Sequence, residues 1–278
     1  MSEEYSVIAL YGISTTEGLL KHFHDAVLHW FDELECPPDY MAVSGAGHSD
    51  KAVLFQSVEA KLQKTGYDGI ESISLISTLP NYVTPVNDYK LSTYCSIKRD
   101  ILFLSSMSSL ASLDKKHMFS VVSKLLRQLN PAYGIGYTRD HSFGPAMYAI
   151  GIVQGLGTSG DEDMEGLNIS FWNNGKRARV WERGLVRDVY EWNFLNQQQL
   201  AMAIHGIALK SWIQSDSRRG TLTAMSGGIV LWEIDRADIP AARRALWDAG
   251  LIFDWTTHIE GAQAHPNAMA SRAWQASR

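Results

Sequence analysis

Four polar residues near the N-terminus have types and a spacing that suit metal chemistry. His22, Asp25, His29 and Asp32 recur on one side of a helix-periodic stretch. Two imidazoles and two carboxylates are ligand types for a divalent cation. The same stripe lies opposite Phe23, Val27 and Phe31. It is therefore read as a solvated face with no metal site, since the specific helical pattern HExxH is absent. His48-Ser49-Asp50 has the residue types of a hydrolase triad, but a triad is assembled in space and not by adjacency, and there is no GxSxG elbow. Gly155-Leu-Gly-Thr-Ser-Gly160 matches GxGxxG. The acidic run Asp161, Glu162 and Asp163 follows it at once and would repel a phosphate, so residues 155–166 are read as an exposed loop binding no nucleotide. No cofactor is implied.

Two charged pairs stand at the edges of apolar strands: Arg139-Asp140-His141 and Arg187-Asp188. Such pairs either anchor the fold internally or offer a bidentate fork to a ligand carboxylate. Arg139, His141, Arg187 and Asp188 are accordingly candidate binding residues. Tyr190, Trp192 and Phe194 alternate, so they share one face of an extended segment. Covered, that face is core; open, it is a binding surface, and Tyr190 and Trp192 are carried as candidate contacts. Asp161, Glu162 and Asp163 complete the candidate set.

Composition narrows the function classes. A net charge of −5 and a pI near 6.0 disfavour general attraction to nucleic acid or anionic lipid. Cys36 and Cys95 form neither a CxxC motif nor a disulfide framework, and two buried, reduced thiols are expected. No segment reads as a signal peptide or as long enough to span a bilayer, and a cytoplasmic protein is expected. Nine Trp and eleven Tyr suit a large core or an interface.

The elements that must position these residues follow from periodicity. Residues 5–11 read as a strand, 16–34 as an amphipathic helix with Ser14–Thr16 as its start, and 53–64 as a second helix. Strands follow over 70–79, 91–98 and 101–107, the last two as a hairpin. A helix over 113–129 and a Gly-spaced strand over 132–138 complete this half. Later come a strand over 186–195, a helix over 197–205 capped by Asn196, a hairpin around Ser226-Gly227-Gly228, and a helix after Asp238. The expected fold is α+β: two similar units of antiparallel or mixed sheet with helices packed on one face. The units are placed at 1–138 and 185–257, joined by an irregular segment over 139–184 and followed by a tail over 258–278.

Three stretches, Asn130-Pro-Ala-Tyr-Gly-Ile-Gly-Tyr137, Arg187-Asp-Val-Tyr-Glu-Trp-Asn-Phe-Leu195 and Gly227-Gly-Ile-Val-Leu-Trp232, resemble a group of uncharacterised bacterial proteins. More distantly they resemble the immunity proteins paired with type VI secretion toxins. That resemblance implies an α+β protein that binds and blocks a cognate toxin, with no catalytic residue to carry over. The expectation is a non-enzymatic binding protein with a protein partner, a basic toxin. The rival is an enzyme or small-molecule binder with a polar site between the two units.

Overall fold

The computed structural model describes residues 3–13, 17–111, 115–152, 160–177 and 179–278. The expected helix start at Ser14–Thr16 and most of the Gly155–Gly160 stretch lie outside these residues. The chain is α+β, an antiparallel sheet with helices. It divides into two compact units: Met1–Pro131 with Thr138–His141, and Ala132–Tyr137 with Ser142–Arg278.

In the first unit β1 (Glu4–Tyr11) and α1 (Leu19–Glu33) open the fold, followed by β2 (Tyr40–Gly45), β3 (His48–Ser49), β4 (Val53–Leu54) and α2 (Phe55–Thr65). Then come β5 (Ile70–Thr78), β6 (Tyr89–Ser96), β7 (Ile101–Met107), α3 (Ser108–Ala111) and α4 (Lys115–Leu129). The strands run in the order β1-β7-β6-β5-β2, every neighbour antiparallel, with β3 and β4 on the outer edge of β2. The β6–β7 hairpin turns at Arg99-Asp100, where Asp100 adopts φ 54°. α1 buries Leu20, Phe23, Val27, Trp30 and Phe31 and packs against α4, β5 and β6. Its apolar residues recur at helical spacing, so one stripe covers the sheet and the other faces solvent.

The second unit takes the first residues of β8 (Tyr133–Asp140), then α5 (Pro145–Ala149), α6 (Gly160–Arg177), β9 (Trp192–Leu195) and α7 (Gln197–Ala201). The short pair β10 (Ala203–Ile204) and β11 (Ile207–Ala208) leads into α8 (Leu209–Gln214), β12 (Thr221–Ala224) and β13 (Val230–Glu233). α9 (Ile239–Asp248), α10 (Trp255–His258) and α11 (Ala268–Ser277) close the chain. The sheet order here is β12-β13-β9-β8, antiparallel throughout. Asn196 caps α7 as its type predicts: its side chain accepts from the Gln199 N–H while Gln199 reaches back to the Asn196 N–H.

Several elements differ from their sequence reading, each for a physical reason. The strand expected over 186–195 pairs as a ladder only over Trp192–Leu195. Upstream, side chains take the place of a neighbouring strand. The Arg187 N–H donates to the Tyr133 hydroxyl at 3.0 Å, the Val189 N–H to Asp188 Oδ1 at 2.8 Å, and the Tyr190 N–H to Asn193 Oδ1 at 3.1 Å. The helix expected over 197–205 stops at Ala201, and His205-Gly206 turns the β10–β11 pair with φ 48° and 85°. Residues 160–166, read as part of a loop, open α6. The segment 258–278, read as a tail, contains α11, which packs on α6 and α10. α11 buries Ala268, Ser271 and Gln275 rather than large apolar residues, so no apolar period marks it in the sequence. The indole Nε1 of Trp255 donates to Ser271 Oγ at 2.9 Å and supplies one of its anchors.

Candidate functional site

Arg187 and Asp188 are built into the interior of the second unit. Val186 is pinned on both sides, its N–H donating to Leu251 O at 2.9 Å and its carbonyl accepting from the Phe253 N–H at 2.8 Å. That anchor carries Arg187 inward, where it is 1% exposed. Its Nη2 donates to Tyr148 O at 3.1 Å, and its guanidinium lies 4.4 Å from the Tyr148 ring centroid. Asp188 Oδ1 accepts from Arg243 Nε at 2.6 Å, and Oδ2 lies 3.5 Å from Arg278 Nη1. The Tyr148 and Tyr190 hydroxyls are 3.0 Å apart. Burial pushes the Tyr190 phenol well up, with Arg187 opposing. Buried charges are tolerable when paired or hydrogen-bonded; Asp188 is paired with Arg243, and Arg187 is hydrogen-bonded to the Tyr148 carbonyl. Chemically the arrangement is an internal anchor that ties the 186–191 segment to α5, α9 and Arg278.

The other candidates are placed as follows. Arg139 and His141 belong to the first unit, whereas Arg187 and Asp188 belong to the second. His141 Nε2 is 2.7 Å from Asn87 O, and its ring lies 5.2 Å from that of Tyr5. Tyr190, Trp192 and Phe194 are buried at 7%, 6% and 0% exposure, so their shared face is covered core with little surface for a partner. Asp161, Glu162 and Asp163 fall in the first turn of α6. His22, Asp25, His29 and Asp32 are solvent-exposed, and no metal-binding group of His, Cys, Asp or Glu occurs among the described residues. Cys36 and Cys95 are buried and unpaired, and burial pushes the Cys95 thiol up. No helix among the described residues is long and apolar enough to cross a membrane.

Sequence reasoning passed over His24, which stands on the apolar stripe of α1 and is 1% exposed. Its Nδ1 shares a hydrogen bond with the Tyr67 hydroxyl at 2.5 Å, and its Nε2 lies 3.4 Å from Glu59 Oε2. Burial holds the imidazole below its ordinary value; the Glu59 and Asp25 carboxylates oppose this, and Lys21 reinforces it. A histidine lowered in the fold stays neutral at a pH where the unfolded chain already binds a proton. Its contribution is complete above about 6.5 and is lost as pH falls from there through the folded value. His48 and His258 are lowered in the same direction, also with burial as the main cause. Urea unfolding is therefore expected to show stability falling on acidification from about pH 7 to about pH 5. His24→Gln should flatten that dependence, and an unchanged slope in the variant would contradict the assignment.

A second feature missed in the sequence is a cleft of about 280 Å³ in the second unit. It is lined by His205, Trp212, Asp216, Arg218 and Arg219, and by Asp238 with Ala241, Ala242 and Ala245 of α9. The local signal in the sequence is Arg218-Arg219-Gly220, a basic pair before a glycine. Gly220 adopts φ +88°, and a Cβ there would stand 1.8 Å from the Glu233 carbonyl oxygen. Only glycine lets the chain pass so close to β13.

No protein-family model matches the chain, and no curated protein matches it. Among solved structures, its fold is similar to that of the Pseudomonas aeruginosa T6SS protein PA0821. The TM-score is 0.57 at 13% identity, over 91% of this chain and 74% of that one.

Proposed function

We propose that this protein is a non-enzymatic binding protein of a type VI secretion context, an immunity-type protein that binds and neutralises a cognate toxin. The observation that carries the reading is the likeness of fold to a T6SS protein over 91% of the chain. The character of the Arg187–Asp188 cluster supports it as well. Of the charged groups that sequence reading offered as a ligand site, Asp188 is engaged by Arg243 and Arg278, and Arg187 donates to the Tyr148 carbonyl. The net charge of −5 suits a basic partner and would speed association with it. A stable complex would bury on the order of 1,600 Å² in total.

The test uses the purified chain as bait in lysate of its source organism, with bound proteins identified by mass spectrometry. One dominant, stoichiometric protein of basic character is the expected result. A clean blank would count against the reading.

A further inference from the structure

We infer that the cleft between Trp212, Arg219 and α9 is a carboxylate-recognition subsite that receives an acidic side chain of a protein partner. The inference rests on the reading of this chain as a binding protein and names one of its contact points.

Arg219 is held more firmly than a surface arginine needs to be. Its N–H donates to Asp216 O at 2.9 Å, and its carbonyl accepts from the Trp232 indole Nε1 at 2.6 Å. The guanidinium lies 4.2 Å from the Trp212 ring centroid. Its Nη1 donates to Trp212 O at 2.9 Å and to Ser215 Oγ at 2.8 Å. A long side chain fixed in this way gives up rotamer freedom before any ligand arrives, which is what preorganised recognition requires. The remaining donors, Nε and Nη2, form the side-on fork whose spacing matches the two oxygens of a carboxylate. That fork has no acceptor among the described residues.

The neighbouring charges define what the fork would take. Arg218 directs its own Nε and Nη2 to Asp216 at 3.3 and 2.9 Å, and it also feels the charge of Asp238. Asp216 also feels the charge of Arg219, but among the described residues no carboxylate lies within ion-pair distance of the Arg219 guanidinium. Asp238 lines the same cleft, and its side chain makes no capping hydrogen bond to α9. A second negative charge on the ligand would meet it, so a monoanionic carboxylate is favoured over a phosphate dianion. The alanines of α9 and the Trp212 ring supply apolar walls for a short aliphatic stem. A space of about 280 Å³ suits one inserted side chain better than a whole small-molecule ligand.

The probe is N-acetyl-glutamate α-amide, a single capped side-chain carboxylate, titrated into the full chain. The Arg219 Nε–H and Trp212 indole resonances report binding by ¹H–¹⁵N NMR. Saturable millimolar shifts are expected at both, with none for capped glutamine and weaker ones for inorganic phosphate. Arg219→Lys keeps the charge and loses the fork, so binding should weaken by about tenfold or more. Asp238→Asn should strengthen the phosphate response. No saturable shift with capped glutamate, an equal response to capped glutamine, or undiminished binding by a folded Arg219→Lys variant would overturn the subsite. This titration needs no partner. A failed subsite therefore leaves the bait experiment to decide the broader reading, and a blank bait experiment alone counts against that reading.

Discussion

Asp188→Ala is expected to destabilise the protein by about 3–5 kcal/mol, because removing one member of a buried ion pair strands the other. The Asp188 side chain is 8% exposed and that of Arg243 16% exposed, with their charges 2.6 Å apart. Without the carboxylate, Arg243 keeps a 3.3 Å hydrogen bond from Nη2 to Val189 O, and the facing oxygen for Arg278 is gone. The Val189 N–H also loses the acceptor that substitutes for a strand neighbour. Urea unfolding with a constant slope gives the measurement. The double variant Asp188→Leu with Arg243→Met removes both charges together and should recover a large part of the loss, since paired apolar replacements are often neutral. A loss under about 1 kcal/mol for the single variant would show that the pair is solvated in solution and that the anchor is not buried.

Trp232→Ala has the second largest expected effect, also about 3–5 kcal/mol, from the cavity left by a large buried aromatic. Trp232 is 0% exposed on β13, paired with Asn193 of β9 on one side and Leu222 of β12 on the other. Its indole N–H also holds the Arg219 carbonyl. Trp232→Phe separates the two roles. It keeps most of the buried ring and loses the hydrogen bond, so it should cost about 1 kcal/mol. It should also shift the Arg219 Nε–H resonance. A Trp232→Phe variant with an unmoved Arg219 resonance would show that the β13 strand does not position the cleft.

What the sequence made legible follows from how locally each element is specified. α1 declares itself through Phe23, Val27 and Phe31 at helical spacing, and the β12–β13 pair through Ser226-Gly227-Gly228. The capping box of Asn196 and Gln199 needs only four consecutive residues to be recognised. The elements that were missed depend on distant partners. Residues 186–191 look like a strand because Val186, Val189 and Tyr190 are apolar. Their backbone is nevertheless satisfied by Tyr133, by Asn193 and by the 251–253 segment. α11 buries small and polar residues whose value comes from Trp255 and α6, which no period reveals. The candidate site divides the same way. Arg187-Asp188 was visible as a charged pair at an apolar edge, but its partners Arg243 and Arg278 lie 55 and 90 residues away in sequence. Arg219 was hidden because its significance comes from Trp212 stacking and the close passage of Gly220 past β13, both features of tertiary geometry.

Neutralisation of a partner by binding is the activity proposed for this chain. Its most direct measurement is growth of cells expressing the protein retained by this chain, with and without this chain co-expressed. Growth arrest by the partner alone and restored growth when this chain is present are expected, together with a one-to-one complex of the purified proteins. A partner that is harmless alone, or one whose toxicity persists while the two proteins are bound, would contradict it.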